Sequence, residues 1–232
     1  MQVTSALYQS IVANPHWFET RLLIDGVGTF YESDLFSIST HIEMFHGSPT
    51  VGTAVAGEIT VSMIKPSADI PTMAVLRPQV RVCNGTQQSE WLPQGVYYID
   101  TRETTKNGSG LDVLTIRGYD AMLKAEQDFV SETITGDSVD TDMVDAIAAI
   151  MGVDVDTRTY SIMNAAYTIP LPTGYSCREV LGYIASMYVG AFIVTDEGKL
   201  RLVSIIELPP ETNYLVTNAG DAITFGGDRI LV

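Results

Sequence analysis

The sequence predicts a β-rich α+β protein. An N-terminal β-barrel-like domain spans residues 1–125, and a smaller α+β domain spans 126–232. Three observations predict this. Short runs with a two-residue apolar period, separated by turn residues, fill the chain up to about Tyr119. Two capped segments with helical spacing follow Asp137. A strand–turn–strand pattern then ends before Pro209-Pro210.

Thr4 to Asn14 has the spacing of a short helix. Leu7, Tyr8, Ile11 and Val12 share a face, Thr4 is placed to cap it, and Asn14-Pro15 stops it. From Trp17 the period changes to two. Glu19 to Ile24 alternates and ends at the Asp25-Gly26 turn, and Thr29 to Tyr31 follows. In Leu35 to Met44, the residues Phe36, Ile38, Thr40, Ile42 and Met44 alternate with Ser37, Ser39, His41 and Glu43. This predicts a strand with the first set buried. Glu58 to Ile64 places Ile59, Val61 and Met63 on one face. A strand within Pro71 to Cys83 centres on Val80 and Val82. Trp91 to Thr101 reads as another, with a turn at Pro93-Gln94-Gly95. Lys106 to Gly110 is a hairpin turn, and Leu111 to Tyr119 is its returning strand. Short strands punctuated in this way predict a barrel or sandwich. Asp120 to Ala125 reads as a short helical exit.

In the second domain, Asp140 to Met151 carries a stripe of Met143, Val144, Ile147, Ala148 and Met151. Asp140 or Thr141 can cap it, and Gly152 suits its end. Tyr167 to Pro172 is extended. Ser176 and Glu179 form a capping box for a helix that buries Val180, Leu181, Ile184, Ala185 and Tyr188, and Gly190 closes it. Ala191 to Thr195 and Lys199 to Ile205 form a hairpin around Asp196-Glu197-Gly198. Pro209-Pro210 marks a linker. A β-like tail follows, with Asp221 to Thr224 and Arg229 to Val232 flanking Gly226-Gly227.

The chain carries 28 acidic against 13 basic residues, a net charge of −15. That argues against general affinity for nucleic acid or an anionic membrane. Met1 to Ser10 has no basic stretch and no apolar core, and no run approaches the ~20 apolar residues of a membrane span. The expectation is folding in a reducing cytoplasm, without stable membrane association. Cys83 and Cys177 match no metal spacing and read as buried free thiols.

The chemical motifs are sparse. His41, Glu43 and His46 are the best metal candidates, but the zincin pattern needs histidines four apart on a helix. Here they are five apart on a predicted strand, so no metal, cofactor or catalytic residue is assigned. His16 reads as packed or solvent-facing. Cys177 at a helix start can stabilise a thiolate, yet its place in a capping box favours a structural thiol. Gly108-Ser109-Gly110 and Gly226-Gly227 are not phosphate loops, and Asp137 to Asp142 lacks the glycine and terminal glutamate of a calcium loop. Trp17, Phe18, Trp91, Tyr97, Tyr98 and Tyr175 can form a sugar-binding platform, but core or subunit interface is the commoner use.

Four segments carry a resemblance. WLPQGVYYID at 91–100, LTIRGYDAML at 114–123, VGTAVAGEITVS at 51–62 and the unit from Tyr175 to Ile205 occur in the order seen in prophage tail proteins. The chain thereby resembles the tail hub, or baseplate hub, family of long-tailed phages. The resemblance implies a tail-tube-like first domain in a non-enzymatic structural protein of the virion tail. It implies self-assembly, as a trimer or another ring. Such a ring would cap the tail tube, contact distal tail and spike or fibre proteins, and let DNA pass without specific binding. Folding would take place in the bacterial host cytoplasm. The residues after Pro210 are too few for a second barrel of the kind that matches a trimer to a sixfold tube. A carbohydrate-binding tail module is the first alternative function. A hydrolase or metalloprotein built on His41, Glu43 and His46 is the second.

Overall fold

The computed structural model describes residues 4–44 and 50–205, together with the backbone of two short strands near the C-terminus. The first region begins with helix α1 (Ala6–Val12) and strands β1 (Trp17–Ile24), β2 (Gly28–Tyr31), β3 (Leu35–His41) and β4 (Thr53–Ala54). Strands β5 (Glu58–Ile64), β6 (Val75–Asn84), β7 (Gln87–Gln88), β8 (Leu92–Pro93), β9 (Tyr97–Lys106) and β10 (Asp112–Asp120) follow. A 3-10 helix (Ala121–Glu126) leads into the second region. This holds β11 (Ser138–Val139), α2 (Asp140–Met151), α3 (Arg158–Ile162), β12 (Thr168–Ile169), α4 (Cys177–Met187), β13 (Gly190–Val194) and β14 (Leu200–Ser204). The last pair, β15 (Thr224–Phe225) and β16 (Asp228–Arg229), is antiparallel. The rest of the expected C-terminal tail lies outside the described residues.

The main sheet has nine strands in the order β2-β1-β6-β9-β10-β5-β3, with β7 and β8 also pairing with β6. Its neighbours on this path are antiparallel. Among the described residues the path is open, with β2 and β3 at its ends, where the sequence predicted a barrel. The sheet nevertheless curls around one core. Leu22 and Ile24 of β1, Ile59, Val61 and Met63 of β5, and Leu114 and Ile116 of β10 bury in the same cluster. Phe30 from one end of the path and Leu35 and Ile38 from the other pack on it. Each fully buried side chain of this size contributes about 1.5–3 kcal/mol.

Two local expectations change. Ser5, not Thr4, caps α1, because its hydroxyl accepts from Tyr8 N at 3.0 Å. On β3 the alternation is shifted. Leu35 pairs with Met63 and Ser37 with Ser62, so Phe36 is the extra residue of a bulge and is 55% exposed. Leu35 and Ile38 take the inward positions, and β3 ends at His41. The expected Trp91–Thr101 strand is also two pieces, β8 and β9, parted by the turn at Gly95.

The second core belongs to α2, α4 and the β13–β14 hairpin. Met143, Val144, Ile147, Ala148 and Met151 all bury there, as their spacing predicts. Val180, Leu181, Ile184 and Ala185 of α4 meet them, with Phe192, Val194, Leu200 and Leu202 from the hairpin. Ser176 and Glu179 close the capping box, and Gly152 takes the left-handed conformation after α2. Val139 occupies the N-cap of α2 without a side-chain bond. Asp140 turns inward, accepting from Thr141 N at 2.8 Å and from the Tyr188 hydroxyl. Ala54 and the 3-10 helix residues Ala121, Met122 and Ala125 also pack in this second core.

Candidate assembly site

The segments that carry the family resemblance are joints rather than reactive groups. Asp120 is 3% exposed and joins three elements. One carboxylate oxygen accepts from Gly57 N at 2.8 Å, ahead of β5, and the other accepts from Met122 N at 2.9 Å, starting the 3-10 helix. Burial outweighs these bonds and pushes its pKa up to about 6. Gly95 sits at φ +109°, where a Cβ would strike the buried Tyr97 ring, whose hydroxyl donates to Gln94 O at 3.2 Å.

The two regions are joined at the same places. Strand β4 pairs in parallel with β13, Thr53 opposite Ala191 and Ala54 opposite Phe192. Gly52 N donates to Gly190 O at 2.8 Å. The Gly52 backbone lies directly on α4: a Cβ there would fall 2.8 Å from Gly182 O and overlap the Ser186 hydroxyl. Gly95 N donates to Asp196 O at 3.1 Å, tying the β8–β9 turn to the hairpin turn. Arg178 donates to Met122 O at 3.0 Å and pairs with Glu126 at 2.9 Å, and Lys124 lies 4.0 Å over the Tyr98 ring.

The sequence candidates for chemistry are placed apart. His41 Nε2 lies 2.7 Å from Glu43 Oε1, and both side chains are well exposed. His46 lies outside the described residues. His16 Nδ1 is 2.7 Å from Asn14 O, and its ring meets Phe18 edge-on. Cys83 and Cys177 are both buried and free. Desolvation pushes the Cys177 thiol up to about 11, away from a thiolate. In the Asp137 to Asp142 run, Asp140 is buried and bonded to Tyr188, so its carboxylate faces the core. Among the described residues, no three His, Cys, Asp or Glu side chains converge as a metal set.

The aromatic residues form no single platform. Tyr97 is fully buried, whereas Trp17 and Phe18 are half exposed at the start of β1. Trp91 lies on the outer face of β1 and β6, with the Arg21 and Arg81 guanidinium carbons 4.2 and 4.5 Å from its ring centre. Tyr175 meets Tyr183 edge-on at 5.5 Å.

What the surface does offer is sheet edge and apolar area. Tyr31 on β2 and Phe36 on β3 are about half exposed, each on a strand that ends the main sheet. Such edges present unpaired backbone groups to another strand. Along β9, Thr101 to Lys106 are exposed, while the residues opposite them on β10 include the core residues Leu114 and Ile116. Along α4 lies an apolar groove of about 330 Å³ lined by Leu171, Tyr175, Tyr183 and Met187. Val189 and Tyr167 are exposed on the same region. Sequence reading missed this groove because Tyr183 and Met187 lie off the helical stripe that faces the core. Their only signal was an aromatic and a methionine on the face expected to be polar.

Among solved structures, the chain is similar to the 43 kDa tail protein of prophage MuSo2 from Shewanella oneidensis. The TM-score is 0.56 at 12% identity, covering 81% of this chain and 53% of that one. It is also similar to the tail protein from Neisseria meningitidis MC58, with a TM-score of 0.52 at 12% identity, covering 87% of this chain and 56% of that one. The chain thus spans little more than half the length of either. No family model and no curated protein matches it. At this identity the likeness is one of fold: the chain folds as those prophage tail proteins do.

Proposed function

We propose that this chain is a structural component of a phage or prophage tail, acting at the tail tip or baseplate as a hub. The observation that carries the reading is the shared fold with two prophage tail proteins. Its surface suits the role. Among the described residues, two sheet edges are open to strand addition, and an apolar groove runs along α4. The two regions are joined by the β4–β13 pair and by backbone hydrogen bonds from Gly52 and Gly95. In this reading the curled sheet acts as a tail-tube-like barrel once neighbouring copies complete it. Copies form a trimer or another ring, which caps the tube and holds spike or fibre proteins.

The charge fits such a ring. With a net charge of −15, carboxylates lining a lumen would keep passing DNA from adhering, by repulsion screened over ~8 Å at physiological salt. Light scattering of the purified chain across a concentration series, followed by imaging of any ring, tests the reading. A trimer or larger ring is expected. A monomer at every concentration that also fails to bind tail tubes would refute it.

A further inference from the structure

The outward face of the β13–β14 hairpin carries a cation, Arg201, whose nearby carboxylate is already engaged by another arginine. Leu200 and Leu202 of β14 point into the second core, so Arg201 between them points the opposite way, beside its cross-strand partner Ile193. There it lines a groove of about 500 Å³ whose walls include Ile42, Val155, Asp156 and Arg158. Its Nε–H is buried and has no hydrogen-bond partner among the described residues. Asp156 acts on it electrostatically but is already bound by Arg158, whose Nε lies at 2.8 Å and whose backbone N lies at 3.0 Å. A third cation lining the groove, Lys199, is paired with Glu197 at 3.2 Å. Arg158 also repels Arg201. A buried donor without an acceptor, next to a like charge, is unfavourable until an anion completes it.

We propose that this groove receives a carboxylate side chain of a second protein molecule, presented on an extended segment. A planar guanidinium fork matches a carboxylate with two parallel hydrogen bonds. Ile42, Val155 and Ile193 give apolar contact to the methylenes of such a side chain. Asp196 and Glu197 on the rim, within a chain of net charge −15, disfavour a polyanion such as nucleic acid but tolerate one negative group.

The test is a titration of the purified ¹⁵N-labelled chain, at constant ionic strength, with capped triglutamate, capped triglutamine and inorganic phosphate. The Arg201 Nε–H signal and the amides of Ile193 and Lys199 are followed by NMR. Triglutamate is expected to give saturable shifts, triglutamine none, and phosphate a weaker response. Arg201→Met and Arg201→Gln should weaken the peptide response about tenfold or more, the effect of losing a hydrogen bond to a charged group. They should leave the unfolding midpoint unchanged or higher, because the buried Nε–H has no hydrogen-bond partner among the described residues. The proposal is overturned by absent or non-saturable shifts with triglutamate, or by an equal response to triglutamine. Phosphate binding at least as tight as the peptide would also overturn it. So would destabilisation by both variants, which would give Arg201 a structural role.

Discussion

Asp120 carries two hydrogen bonds whose donors belong to different elements, Gly57 before β5 and Met122 in the 3-10 helix. Asp120→Asn keeps the shape but turns an amide donor towards one of those N–H groups. The expected loss is about 1–3 kcal/mol, read from urea unfolding at pH 7. Its pH dependence has a definite sign. The folded pKa of about 6 lies above the ordinary value of 3.8, so the folded state holds the proton more tightly. This contribution is full below pH 4 and is lost as pH rises to about 6, a change of about 3 kcal/mol at most. Asp156 works in the opposite direction. The Arg158 guanidinium holds its carboxyl well below the usual range, so its stabilisation is lost as pH falls below 4. The difference between wild type and Asp120→Asn, measured at pH 4, 5, 6 and 7, isolates the Asp120 part. A parallel pair of curves would show that Asp120 titrates normally.

At the scale of elements, the β3 bulge separates two kinds of apolar residue that alternation alone treats alike. Phe36 is outside the core, so Phe36→Ser should change unfolding stability by less than about 0.5 kcal/mol. Met63, opposite Leu35 on β5, is fully buried, and Met63→Ala should cost about 2–5 kcal/mol. A large loss at Phe36 would mean that β3 follows the unbulged register. The contact between β4 and α4 makes a second expectation. Gly52→Ala adds a Cβ at φ +79°, 2.8 Å from a helix carbonyl, so something must shift. Overpacking of this kind costs about 1–3 kcal/mol, measured by the denaturation midpoint, and the positive φ adds to it.

For the whole molecule, the relevant balance is between net charge and uncovered apolar surface. Copies carrying −15 each repel, while the groove along α4 and the two sheet edges favour contact. Raising NaCl from 20 mM to 300 mM should therefore increase the mass seen by light scattering. Tyr183→Ser, which removes a ring that is 58% exposed, should blunt that increase without lowering stability. Assembly that weakens with salt would instead point to ion pairs as the joining force.

The sequence by itself determined most elements and both cores. Period two on β5 and the helical stripe of α2 bury the residues expected, because burial on one face is written directly in the spacing. The capping box and the hairpin at Lys106 to Gly110 were equally local. Tertiary structure decided the rest. Strand β4 exists only because β13, far along the chain, offers it a partner, and α3 is too short to show a period. Phe36 is exposed because a bulge on an edge strand changes which face a residue takes, and spacing cannot reveal a slipped register. The grooves beside Tyr183 and around Arg201 lie between segments distant in sequence. A lone outward arginine in a strand becomes a candidate binding group only when folding closes walls around it and leaves its buried N–H without an acceptor among the described residues.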